Sequence, residues 1–147
     1  MSPKLTYRLL KAILMLVVCS QIASAQSLLK PYTAFQHNEL NVLMKNWDLA
    51  RDKKTLFVHF EVRNPGATDL RCPWKELVSF VLKDGSFMRS NYDALVDVGT
   101  GFTRATGPVL IPRGGKKVQI AVPFLLSPNQ FPGHIQLSDG RISPTLR

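Results

Sequence analysis

Two stretches decide the fold: Leu56-Phe57-Val58-His59-Phe60-Glu61-Val62-Arg63 and Val118-Gln119-Ile120-Ala121-Val122-Pro123-Phe124-Leu125-Leu126. In the first, Leu56, Val58, Phe60 and Val62 alternate with Phe57, His59, Glu61 and Arg63. In the second, Val118, Ile120, Val122, Phe124 and Leu126 alternate with Lys117, Gln119, Ala121 and Pro123. Successive side chains of a strand point to opposite faces, so each stretch lays one apolar face on a core and one mixed face outward. Leu40, Val42 and Met44 repeat the pattern more faintly, as do Val78, Phe80 and Leu82. No window sustains the 3.6-residue repeat of a long helix, and the chain reads as all-β.

The segments between these runs agree. Asn64-Pro65-Gly66, Asp84-Gly85-Ser86, Arg113-Gly114-Gly115 and Asp139-Gly140 carry the Gly, Asn or Asp that tight turns require. Strands are expected near 40–49, 55–63, 76–83, 87–95, 107–112, 116–125 and 134–138, with a short eighth over 141–143. About seven short antiparallel strands at this spacing suggest a sandwich or barrel. Residues 26–38 read as an extended or frayed lead-in, and residues 39–147 as the domain. The stretch 96–106 is ambiguous, and residues 91–98 would also fit one helical turn.

Ahead of the domain, Lys4, Arg8 and Lys11 give a positive start with no acidic residue before position 26. Ala12 to Cys19 is an apolar run too short to span a membrane, which takes about 20 residues. Ala23-Ser24-Ala25 supplies the small residues that a signal peptidase accepts. Residues 1–25 therefore read as a cleaved secretory signal, with Ala25 and Gln26 flanking the cut. The mature chain is expected in the periplasm or the medium, with membrane contact only through the uncleaved signal.

Cleavage changes what composition implies. Cys19 leaves with the signal, so Cys72 remains without an internal disulfide partner. The loss of Lys4, Arg8 and Lys11 lowers the net charge from +9 to +6. That balance favours anionic surfaces but is not a nucleic-acid footprint without clustered cations and stacking aromatics. Met1 and Met15 also leave, and Met44 and Met88 are too few for a methionine-rich copper site.

Three pieces of the domain resemble the bacterial extracytoplasmic immunoglobulin-like domains of unassigned function. They are Phe57–Gly66 (FVHFEVRNPG), Phe80–Ser86 (FVLKDGS) and Leu110–Phe124 (LIPRGGKKVQIAVPF). In those domains a strand ending in Val-x-Asn precedes a turn, and a later strand ends in Asp-Gly. A Pro-Gly turn then leads into a long strand ending near Val-Pro-Phe. The likeness spans residues 40–138 and consists of turn and core positions. It implies an immunoglobulin-like β-sandwich and carries no catalytic residue across. The paired cysteines of antibody domains are missing.

Residues suited to chemistry are sparse. His37, His59 and His134 are spaced by 22 and 75 positions, which matches no zinc signature. No G-x-S-x-G elbow is present, and Ser79 and Ser90 have no recognisable His and Asp companions in sequence. Gly99-Thr100-Gly101 has the glycines of a phosphate loop without its lysine. No catalytic residue, metal or cofactor is expected. Cys72-Pro73-Trp74 is the most distinctive cluster, read either as a reactive or interchain thiol beside an aromatic contact or as core.

Counting strands suggests where binding would sit. In a seven-strand sandwich successive connections alternate between the two ends. Arg51, Lys53, Lys54, Lys83, Arg113, Lys116 and Lys117 would then share a positive end. Leu70, Cys72, Trp74, Phe102 and Phe131 would form an apolar opposite end. A positive pole would attract an anionic surface, and an aromatic patch would dock a protein. The expectation is an exported, non-enzymatic module that contacts an envelope protein or anionic surface through its loop ends. A small inhibitor or chaperone of an envelope enzyme, inserting loop 96–106 or 126–133, is the alternative. A metal-handling protein is a more distant one.

Overall fold

A computed structural model describes residues 28–147. The expected signal peptide and the Ala25–Gln26 cut lie outside these residues. Eleven strands follow in order: β1 Thr33–His37, β2 Leu40–Leu49, β3 Thr55–Arg63, β4 Leu70–Cys72, β5 Val78–Leu82, β6 Phe87–Met88, β7 Ala94–Asp97, β8 Phe102–Ala105, β9 Val109–Ile111, β10 Val118–Leu125 and β11 Pro132–Leu137. A single 3-10 turn, Trp74–Glu76, precedes β5. The fold is all-β with antiparallel pairing throughout.

The two alternating stretches lie side by side at the centre. β3 and β10 pair from Val62↔Val118 at one end to Thr55↔Leu125 at the other. They sit within a six-stranded sheet of order β1-β2-β3-β10-β7-β8. A three-stranded sheet, β11-β5-β6, supplies a second layer, and β4 pairs with β9. The inward residues Leu56, Val58, Phe60, Val62, Val118, Ile120, Val122 and Phe124 are all buried, as the alternation requires. Phe80 of β5 meets Phe124 of β10 with ring centroids 5.6 Å apart, which joins the two layers in one core. Burying such aromatic side chains contributes about 1.5–3 kcal/mol each.

The described part of the extended lead-in, residues 28–38, contains β1, paired with β2 from Thr33↔Met44 to His37↔Leu40. Several other expectations are corrected. The expected strand over 87–95 is two strands in different sheets, β6 beside β5 and β7 beside β10. Residues 94–97 are strand rather than helical turn, and 96–106 closes the β7–β8 hairpin. The expected eighth strand shrinks to one bridge, Gln136↔Ile142.

Local chemistry explains the sharpest bends. Asn64 is fully buried; its amide nitrogen donates to Thr68 O and Ile111 O, and its amide oxygen accepts from Gly66 N. One side chain thus satisfies three backbone groups in the turn after β3, the role that favours Asn there. At Gly133 a Cβ would collide with the carbonyl of Val81 and with Leu82, where β11 bulges against β5. Only glycine lets these backbones approach so closely.

Candidate functional site

The expected positive end does not form. Lys83 N donates to Phe131 O and Lys54 lies over the Phe131 ring, so Arg51, Lys53, Lys54 and Lys83 gather at one end. Arg113 lies at the other, where its backbone N–H donates to Asp69 and its guanidinium to Ala67 O. Lys116 and Lys117 lead into β10 at that same end. The eight residues of β10 separate the two groups by about 24 Å. Their charges therefore act on opposite surfaces.

Lys54 is committed within the fold. Its ammonium donates to Ser127 O at 3.5 Å, Pro128 O at 3.1 Å and Gln130 O at 2.7 Å, using its three protons. It also sits 4.7 Å from the centroid of the Phe131 ring. The residue that looked like a free cation ties down loop 126–131.

The apolar end is divided as well. Cys72 and Trp74 are buried in the core, and Leu70 is half-buried against it. The Trp74 indole N–H donates to Gly107 O at 2.7 Å. Burial, with a smaller contribution from Glu76, pushes the Cys72 thiol up to about 12. A thiol so placed is a core residue and a poor nucleophile. Phe102 and Phe131 are both exposed, but at opposite ends of the molecule.

A cluster that sequence spacing could not reveal joins the layers. His37 Nδ1 lies 3.1 Å from Ser138 Oγ, and its Nε2 lies 3.7 Å from Glu76 Oε2. These residue types suggest a nucleophile, a base and an orienting acid. The rest of the geometry does not: Ser138 N already donates to Leu77 O, so it is not free to stabilise an oxyanion. The cluster fastens the β1–β2 hairpin to the end of β11.

The outer face of the six-stranded sheet is more distinctive. A groove of about 340 Å³ lies across β2, β3 and β10, with Ala121 on its floor. At its β2 wall the pairing with β3 shifts between Met44 and Asn46, a bulge that turns Lys45 and Asn46 toward the groove. Tyr32 stands at one rim with φ 60°, held there by donating its N–H to Lys45 O at 3.0 Å. A bulky residue in the left-handed region is strained by roughly 1–3 kcal/mol. The strain presents an aromatic ring that is 70 % exposed. Phe102, 66 % exposed, lines the groove from β8.

Polar groups face the same space. His59 is half-buried and its ring stacks on Phe57 at 6.3 Å with a 29° tilt. Burial lowers the His59 pKa, Asp48 opposes that shift, and Lys45 adds to it, which keeps the ring neutral at pH 7. A neutral imidazole offers one donor and one acceptor. Among the described residues, the side chains of Lys45, Asn46 and His59 have no hydrogen-bond partner. Gln119, which also lines the groove, uses one amide proton on Glu61 at 3.3 Å. Glu61 also accepts from Arg63 at 2.9 Å and lies 3.9 Å from Lys117. Burial alone would raise its pKa; the Arg63 and Gln119 hydrogen bonds and the two cations more than reverse that, and it stays ionised.

A second hollow, about 510 Å³, continues beside Glu61 over β1 and β2, lined by Ala34, Gln36, Leu43 and Arg63. The alternation had placed His59, Glu61, Gln119 and Ala121 outward. The bulge at Lys45, the strained Tyr32 and the approach of Phe102 carry no local sequence signal. Among the described residues no group of three or more His, Cys, Asp or Glu is placed to hold a metal, and no helix is long and apolar enough to cross a membrane. No family model matches the chain, and comparison with curated proteins and with solved structures likewise finds no match.

Proposed function

We propose that this chain is an exported, non-enzymatic binding module of the cell envelope, an immunoglobulin-like sandwich that contacts an envelope protein or anionic surface. The strand order supports the sandwich reading. Setting aside β1 and the short insertions β4, β8 and β9, the large sheet runs β2-β3-β10-β7, as strands A, B, E and D of an immunoglobulin domain do. β5 and β11 pair in the second layer as strands C and F would. Export rests on the charged start, apolar run and Ala23-Ser24-Ala25 site of residues 1–25.

The observation that carries the binding role is the groove on the outer sheet face. There, exposed Tyr32 and Phe102 rings border a hollow lined by Lys45, Asn46 and His59, whose side chains have no hydrogen-bond partner among the described residues. Concave sites with apolar walls and a few convergent polar groups are the usual form of ligand sites. The contact surface is thereby moved from the loop ends to the sheet face, because the cations there are split and Lys54 is used internally. The test is capture of envelope components by purified residues 26–147. Wild-type protein is expected to retain a component that Phe102→Ala loses. Equal capture by both refutes the sheet face as the contact surface, and capture by neither refutes the binding role. N-terminal sequencing of protein recovered from the periplasm should begin at Gln26.

A further inference from the structure

We infer that the groove between Tyr32 and Phe102 binds a short oligosaccharide, an assignment that rests on the binding reading above and names its ligand. The argument is one of complementary chemistry. A sugar ring has apolar faces of C–H bonds and an edge crowded with hydroxyls. Aromatic faces carry negative quadrupole charge that attracts such C–H groups, and flat rings bury this surface at little entropic cost. Tyr32 and Phe102 supply two such faces on one groove, and both are more than half exposed. Tyr32 is held in its exposed position by a strained backbone and the hydrogen bond to Lys45 O.

The polar groups suit a hydroxyl-rich edge. Neutral His59 and the Asn46 amide can each donate and accept, the Gln119 oxygen accepts, and Lys45 donates. Hydroxyls are themselves donors and acceptors, so a sugar can satisfy this mixed set where a simple anion could not. The dimensions also agree. β2 and β10 flank β3, and at ordinary strand spacing their backbones stand about 10 Å apart, a span comparable to a disaccharide. Ala121 is the smallest outward side chain on β10 and leaves the floor open where Gln119 and Pro123 would not. Lys45 is the one Lys, Arg, Asp or Glu among the lining residues, which suits a neutral or an acidic sugar.

The test is titration of residues 26–147, followed by NMR and calorimetry, with two probes: a β-linked N-acetylhexosamine trimer and a uronic-acid trimer. Binding of either is expected, and the pair distinguishes a neutral from an acidic glycan. Phe102→Ala and Tyr32→Ala should each weaken binding at least tenfold; both rings are exposed, so the variants should fold, which circular dichroism checks. Ala121→Leu should block binding by filling the floor. Binding of neither probe, or binding that survives both aromatic substitutions, overturns the assignment. If neither sugar binds but Phe102→Ala still abolishes capture of an envelope component, the glycan is wrong and the binding face stands. If capture is also indifferent to Phe102→Ala and Tyr32→Ala, the face itself is wrong.

Discussion

Cys72 provides the most quantitative test of the structure. Its side chain is fully buried, and burial, helped by Glu76, raises the thiol from 9.0 to about 12. At pH 8 an ordinary thiol is about one-tenth thiolate, whereas one at about 12 is thiolate in about one molecule in ten thousand. Reaction of native protein with an aromatic disulfide reagent should therefore be at least about a thousandfold slower than in guanidinium. The same shift links to stability. Above pH 9 the unfolded chain loses the Cys72 proton while the folded chain keeps it, so stability falls as pH rises, by up to about 1.4 kcal/mol per pH unit until about pH 12. Lysines and tyrosines also titrate there, so the informative quantity is the difference from Cys72→Ala. Relative to its own value at pH 7.5, wild type should lose about 2 kcal/mol more than the variant by pH 10.5, read by urea unfolding. Native labelling within tenfold of the unfolded rate, or parallel pH profiles, would refute the buried-thiol argument. It would also restore Cys72 as a candidate for interchain pairing.

Three further outcomes follow from single contacts. Lys54→Met removes the donor shared by Ser127, Pro128 and Gln130 and should cost about 1–3 kcal/mol in urea unfolding, while Lys53→Met should cost little. Equal effects would mean that Lys54 is not a structural tie. Asn64→Asp replaces two donated hydrogen bonds by a carboxylate against Thr68 O and Ile111 O, and should cost about 3 kcal/mol or more at pH 7. Because protonation restores one donor, the penalty should shrink at pH 4, and a pH-independent loss contradicts the assigned bonds. Gly133→Ala sets a methyl against the Val81–Leu82 backbone and should lower stability by about 1–3 kcal/mol, or roughly 4 °C of melting temperature per kcal/mol for about 120 residues. An unchanged melting temperature would show that the bulge at Pro132 can relax.

The candidate surface was only partly legible in the chain. The outward row His59, Glu61, Gln119 and Ala121 follows from the alternation of β3 and β10. Its enclosure depends on contacts distant in sequence: Tyr32 bonding Lys45 across the β1–β2 edge, and Phe102 leaning in from β8. The Phe102–Ala105 segment is exposed along most of its length and shows no apolar period, so no local signal marks it as a strand. β1 was missed for a related reason: its five residues include one buried side chain, Phe35.

The sequence by itself determined the all-β class and the strands β2 and β3 to the residue. It also placed the inward face of β10, and the Asn64 and Asp84 turns as sites of reversal. These follow from interactions a few residues long: side-chain alternation and the hydrogen bonding of short polar side chains. Tertiary structure alone decided which strands share a sheet and which end each connection occupies. The unanticipated β8 reverses the chain once more between β7 and β9, so counting could not keep Lys54 and Lys117 on one side. Charge and aromatic content can be counted in the chain, but whether Lys54 faces solvent or three carbonyls is settled by a loop more than seventy residues away.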